Sequence, residues 1–166
     1  PLVHGGKQEG GMRGGTENTP GIIGMGRAAL LSSRRLAEME SKVRKMRDSL
    51  QEGIMRIVPG AKLNGHPVNR LPNTLNITLP GIRGESLLLA MDFKGVYFSS
   101  GSACKSGSPM PSHVLLAMGL SEEEAHCSLR FSLSFDNTDE QVERTLKLIK
   151  EVIHKSTNSV RFVSCR

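Results

Sequence analysis

Tryptophan is absent from the 166-residue chain, Tyr97 is its only tyrosine, and aromatic residues make up 4%. That scarcity argues against a nucleic-acid module, which stacks bases on aromatic platforms. No apolar run approaches the ~20 residues a membrane span needs, so no membrane partner is expected. No charged-then-apolar leader opens the chain. The sequence begins at Pro1 rather than Met, which reads as an upstream part removed or carried on another chain. Cysteines are few: Cys104, Cys127 and Cys165, with no CxxC pair and no even framework. This pattern fits a reducing compartment, the cytoplasm or a mitochondrial matrix. The five histidines show no HxxxH or Cys/His ligand spacing, so no metal site is expected.

What is present is ordinary globular protein, long enough for one domain or a substantial piece of a larger one. Net charge is +6. Much of it comes from Arg27, Arg34, Arg35, Lys42, Arg44, Lys45 and Arg47, which alternate with apolar residues at helical spacing and read as a solvated helix face, with a phosphate-binding patch as the alternative. Residues 1–21, PLVHGGKQEGGMRGGTENTPG, contain seven glycines. Glycine at that density excludes a regular helix or strand and predicts a loop whose backbone comes close to something. From Ile22 to about Met55 the chain turns helical. Leu36, Met39, Val43, Met46, Leu50 and Ile54 form a stripe at spacings of 3 and 4, and Gly53 with Pro59-Gly60 ends it.

The apolar piece Ile57-Val58 opens a strand-bearing region, followed by the polar loop Asn64-Gly65-His66-Pro67. Leu71 to Leu79 alternates as a half-buried strand, with Leu71, Leu75, Ile77 and Leu79 on or near one face. Glu85 to Met91 is a short helix, and Val96-Tyr97-Phe98 a short strand. His113 to Met118 is helical. Ser121 to Glu124 and Thr138 to Gln141 are capping boxes. Leu129, Phe131 and Leu133 form a strand with a polar face carrying Arg130, Ser132 and Ser134. Val142, Leu146, Ile149 and Ile153 mark a last amphipathic helix to about Lys155. The expected fold class is α/β passing to α+β: a long helix, then a small sheet covered by helices, without internal repeats.

Two segments depart from the local rules of folding, and such departures tend to mark functional sites. One is the glycine loop, ending Arg13-Gly14-Gly15-Thr16. Backbone N–H groups beside a threonine hydroxyl suit phosphate, although neither GxxxxGK[ST] nor GxGxxG is present. The other is Ser99 to Pro111, SSGSACKSGSPMP. Small residues leave the Cys104 thiol uncovered on a loop free to travel, and Lys105 favours the thiolate; the alternative is a casual surface cysteine. Cys127 reads as a packed small hydrophobe. Arg130, on the polar face of its strand, calls for a carboxylate to grip with its planar fork, either a ligand's or that of an internal ion pair.

Several blocks together carry a resemblance. HGGKQEGGMRGGTENTPGIIGMGRA and PNTLNITLPGIRGESLLLAMDFKGVYFSSGSACKSGSPMPSHVLLAMGLSEEEAHCSLRFSLS are similar, in order and spacing, to the corresponding stretches of cysteine desulfurases of the NifS/IscS type. The similarity covers nearly all of residues 1–155. It implies a dimeric, pyridoxal-phosphate (PLP) enzyme of the fold-type I, class-V aminotransferase group. Such an enzyme converts L-cysteine to L-alanine and holds the sulfur as a persulfide for iron–sulfur cluster assembly or other delivery to an acceptor or scaffold protein.

Residue by residue, the resemblance makes Cys104 the catalytic nucleophile, which takes the sulfur of PLP-bound cysteine while the cofactor acts as electron sink. It makes Arg130 the ligand of the substrate α-carboxylate and Thr16 a contact to the PLP phosphate of the partner subunit. Asn73 and Asn76 fall in the matching PNTLN block and are read as structural. Lys7, Gly10 and Ser134-Phe135 stand where the family has Gly, Arg and Gly-Arg. The Schiff-base lysine belongs to a family segment upstream of Pro1, so the chain alone is expected to be inactive.

The implied organisation is a glycine loop from the end of the large PLP domain at 1–21, a linking helix at 22–55, the small domain at 56–155 and a tail at 156–166. Two other functions share these features: a non-catalytic sulfur-carrying or interaction domain, and a PLP enzyme like selenocysteine lyase.

Overall fold

A computed structural model describes residues 1–100 and 110–158; the expected nucleophile Cys104, and Cys165 in the tail, lie outside the described residues. The chain divides into two compact units, Pro1–Ala37 and Glu38–Arg166.

In the first unit the glycine loop folds on itself. Val3 forms a parallel bridge with Arg13, and the Gly14 N–H donates to the Val3 carbonyl at 3.0 Å. A Cβ on Gly14 would lie 2.7 Å from the Gly5 Cα, so the two strands of backbone approach more closely than any side chain permits. A single 3-10 turn, Gln8–Gly11, closes the far end. Helix α1, Thr19–Glu38, starts where the Asn18 side chain accepts the Gly21 N–H at 3.1 Å and Pro20 sits in the first turn, where its missing N–H costs nothing. Ile22, Ile23, Met25, Leu30 and Leu31 of α1 are exposed.

The helical backbone continues through a π-helical turn, Met39–Val43, into α2, Arg44–Ile57. Then follow β1 (Lys62–Leu63), β2 (Thr74–Thr78), α3 (Gly84–Asp92), β3 (Ser99–Ser100), α4 (His113–Ala117), α5 (Glu122–His126), β4 (Ser128–Ser132) and α6 (Asp139–Asn158). The strands form one sheet in the order β1-β2-β4-β3, every pair antiparallel. The expected long helix and helix-covered α+β sheet are both present.

One face of the sheet is core. Leu75 pairs with Phe131 and Ile77 with Leu129. Against them pack Val43, Met46, Leu50 and Ile54 from the α2 stripe, Leu87 and Met91 from α3, and Val142, Ile149 and Val152 from α6. Each such side chain contributes about 1.5–3 kcal/mol by leaving water. Cys127 is buried with this group, as a small hydrophobe would be. Both capping boxes form. The Ser121 hydroxyl accepts the Glu124 N–H while the Glu124 carboxylate accepts the Ser121 N–H. Thr138 and Gln141 make the same exchange at 3.3 Å each way.

Several local expectations are corrected. Gly53 does not end the helix but lies inside α2, which runs on to Ile57. Ile57-Val58 is not a strand: Ile57 ends α2, and the first strand is Lys62–Leu63. Leu71 is 68% exposed and precedes β2, because Pro72 has no N–H for the ladder. Val96-Tyr97-Phe98 is irregular, and the strand forms instead at Ser99–Ser100, where Ser99 meets Arg130. Phe98 packs against Phe131, ring centroids 4.7 Å apart and planes tilted by 40°, so its role is packing. Finally, Arg47 leaves the solvated face. Its side chain is 3% exposed, held by Asp48 at 2.6 and 2.9 Å and by the Leu71 carbonyl at 2.7 Å.

Candidate functional site

The second face of the sheet is polar, because alternation along β2 and β4 sends Thr74, Asn76 and Thr78, and Ser128, Arg130 and Ser132, away from the core. At one end these side chains are knitted together. The Asn64 amide, just after β1, donates to Asn76 Oδ1 at 2.7 Å and Thr78 Oγ1 at 2.9 Å, and reaches Ser128 Oγ at 3.2 Å. The Thr78 and Ser128 hydroxyls lie 2.8 Å apart, and Ser128 donates to the Glu124 carbonyl at 2.7 Å. Thr78 and Ser128 are buried, and this network supplies the partners that burial demands.

Arg130 sits at the other side of that network, half-buried on the same face. In register it stands between Asn76 on β2 and Ser99 on β3. Its Nη2 lies 3.5 Å from the Ser99 hydroxyl. Among the described residues no carboxylate forms a salt bridge with Arg130; the ion pairs there join Arg44 to Glu40, Arg47 and Arg70 to Asp48, and Lys62 to Glu124. The internal ion pair that the sequence left open is thus not made among them.

β3 also fixes where the cysteine segment departs. Ser100 pairs with Leu129, next to Arg130, and Cys104 follows four residues later in the sequence. Thr16 belongs to the first unit, exposed, directly after Gly15 with φ +97°. Asn73 acts through its backbone: its carbonyl accepts the Leu133 N–H at 2.9 Å. The network residues Asn64, Thr78 and Ser128 escaped sequence reasoning. Their signal was the run of polar residues at alternate positions of two strands, which is legible only once the pairing is known.

Away from Arg130, the described residues Arg70, Glu124 and Glu140 have displaced pKa values. Burial, reinforced by Arg47, lowers that of Arg70. The Ser121 backbone N–H, with Lys62, holds the Glu124 carboxyl below the usual range, and Thr138 does the same for Glu140. A cavity of about 300 Å³ lined by Leu50, Tyr97, Phe131, Gln141 and Arg144 lies elsewhere and does not include Arg130.

The sequence model of the family described as "Aminotransferase class-V" matches residues 5–145. The chain belongs to the class-V aminotransferases. Within that family it is 49% identical over 158 residues to "Cysteine desulfurase IscS" of Methanosarcina thermophila, covering 95% of this chain and 39% of that protein. It is 43% identical over 155 residues to "Cysteine desulfurase IscS 1" of Archaeoglobus fulgidus, covering 93% and 40%. Among solved structures, a NifS-like protein superposes with a TM-score of 0.81 at 37% identity, covering 93% of this class-V chain and 39% of the other. The NifS-like protein of Rickettsia africae gives 0.80 at 34%, covering 93% and 40%. The chain spans about two fifths of the length of the curated relatives it matches. No helix among the described residues is long and apolar enough to cross a membrane.

Proposed function

We propose that the full-length protein is a PLP-dependent cysteine desulfurase that converts L-cysteine to L-alanine and holds the sulfur on Cys104 for transfer to an acceptor or iron–sulfur scaffold protein. The observation that carries this reading is the position of Arg130. It is a half-buried guanidinium with no carboxylate partner among the described residues, on the strand paired with the one that leads to Cys104. A chain of four residues spans at most ~14 Å, so a substrate held at Arg130 is within the reach of a thiol on that segment.

Arg130 grips the α-carboxylate and orients the amino acid. PLP, when bound, supplies the electron sink that lets the substrate carbon keep the electron pair of its C–S bond. The Cys104 thiolate, favoured by neighbouring Lys105, forms an S–S bond to the substrate sulfur as the C–S bond breaks. The carbon fragment takes up a proton and leaves as alanine. The first unit fits the phosphate end of PLP: the exposed Thr16 hydroxyl, beside a backbone pinned by Gly5 and Gly14, is a donor for a phosphate oxygen. The ring and the covalent lysine are assigned, through the family, to polypeptide outside these 166 residues. On this reading 1–21 closes the large PLP domain, 22–55 links, and 56–155 is the small domain of a homodimer in which Thr16 serves the partner's cofactor.

The test is Cys104→Ser in the full-length enzyme. PLP content stays at the wild-type level, and persulfide labelling after L-cysteine is lost. Persulfide that persists on another residue of the variant would overturn the assignment.

A further inference from the structure

Arg130 does not stand alone on its face of the sheet. Asn76, Arg130 and Ser99 are direct neighbours in register on β2, β4 and β3, and side chains opposite one another on antiparallel strands have Cβ atoms about 5 Å apart. The three therefore form a lateral polar row. Within it, Asn76 has its acceptor committed. Asn76 Oδ1 takes the Asn64 amide at 2.7 Å, and Asn64 is itself held by Thr78 and Ser128. The backbone repeats the link, the Asn64 N–H donating to the Asn76 carbonyl at 2.9 Å. With its oxygen fixed toward Asn64, the Asn76 carboxamide has one free function, the two N–H donors of Nδ2. Asn76 is half-buried, and its neighbour in the row is a cation with no carboxylate partner among the described residues.

Beside the one long Arg130–Ser99 contact, the remaining donors of Arg130 and Asn76 stand side by side, and they are matched by a group that only accepts; an ionised carboxylate is such a group. We propose that Asn76 is a second carboxylate-recognition residue: its Nδ2 donates to one oxygen of the substrate carboxylate whose charge Arg130 neutralises. The Asn64–Thr78–Ser128 network positions Asn76 by occupying its oxygen, and takes no part in binding itself. This inference rests on the reading of Arg130 given above. It adds selectivity, because two convergent donors from adjacent strands fix the plane of the carboxylate where one guanidinium leaves it free to pivot.

The experiment compares Asn76→Ala, Asn76→Thr and Arg130→Ala in the full-length, PLP-loaded enzyme. Threonine keeps an oxygen that accepts from Asn64 and favours a strand, so the network and the fold survive while the Nδ2 donors go. Losing a hydrogen bond to a charged group raises KM for L-cysteine about tenfold in both Asn76 variants, with kcat within about twofold and the melting temperature of Asn76→Thr unchanged. The inhibition constant of 3-mercaptopropionate, which has the carboxylate, rises in parallel, while that of cysteamine, which lacks it, stays put. If Arg130→Ala raises KM but Asn76→Thr leaves both KM and 3-mercaptopropionate binding at wild-type values, Asn76 is structural and the proposal fails alone. If Arg130→Ala also leaves KM unchanged, the carboxylate reading of Arg130 fails and takes the proposal with it.

Discussion

Gly53 on α2 faces Leu146 on α6 at a separation that leaves no room for a methyl group: a Cβ at position 53 would lie 2.4 Å from Leu146 Cδ1 and 2.5 Å from Cδ2. The two helices pack face to face beneath the sheet, with Leu50, Ile54, Val142 and Ile149 buried around the contact.

Replacing Gly53 with alanine therefore sets two effects against each other. Helix propensity favours alanine by about 1 kcal/mol. The overlap forces Leu146 out of its rotamer or the helices apart, and overpacking costs about 1–3 kcal/mol. Leu146 is partly buried against the core, so turning its terminal carbons aside gives up packing, and Gly53→Ala lowers stability by about 1 kcal/mol. Adding Leu146→Ala should recover part of that loss. Urea unfolding of the two single variants and the double variant checks it, and strict additivity would refute the contact.

Asp48 holds two guanidiniums. Arg47 donates to it at 2.6 Å and Arg70 at 3.4 Å, while two further nitrogens of Arg70, Nε and Nη1, are buried without partners. Asp48→Ala leaves two inward cations with no carboxylate. The loss should be about 2–3 kcal/mol, below the full penalty for breaking a buried pair because Asp48 is partly exposed. Asp48→Asn should cost less, because the Asn oxygen still accepts. A shift in urea midpoint that is the same for both substitutions would count against the charge argument.

How much of this was legible beforehand depended on the sequence distance of the deciding partner. The α2 stripe Val43, Met46, Leu50 and Ile54 was readable because one helix face needs only spacings of 3 and 4. Arg47 was not: its burial is decided by the Leu71 carbonyl, 24 residues away, so it was counted with the solvated charges. Val96-Tyr97-Phe98 has strand propensity, yet β3 forms at Ser99–Ser100, since an edge strand sits where its neighbour β4 offers pairing. Arg130 was placed correctly on a polar face by simple alternation. Asn76 reads as structural in the sequence, and its tie to Asn64, 12 residues off just after β1, is visible only once the strands are paired.

The capping box at α5 gives stability a pH dependence of definite sign. The Ser121 N–H, then Lys62, depress the Glu124 pKa in the folded state. A depressed carboxylate stabilises the fold above its unfolded pKa, and that contribution disappears as pH falls through the folded value. Thr138 depresses Glu140 in the same direction. In melting scans from pH 7 downward, wild type should lose stability below about pH 4.5, the ordinary glutamate value. Glu124→Gln should start lower at pH 7 and lose less across the same range. Curves that run parallel would show that the box contributes nothing through charge.

Substituting Arg130 with lysine separates charge from shape. Both side chains are cations, but only arginine offers a planar fork that meets a carboxylate with two parallel hydrogen bonds. Arg130 makes one long contact, 3.5 Å to Ser99, and no salt bridge among the described residues, so the fold gains little from it and both Arg130→Lys and Arg130→Ala should melt near wild type. On the proposed function, their kinetics in the full-length protein should differ. Alanine removes the whole charge-assisted pair, worth about 2–5 kcal/mol when desolvated, and KM for L-cysteine climbs accordingly. Lysine retains the attraction and loses the second hydrogen bond, so its KM falls between the two. If lysine restored wild-type KM, the site would be reading charge alone, and the planar match between Arg130 and the substrate carboxylate would be wrong.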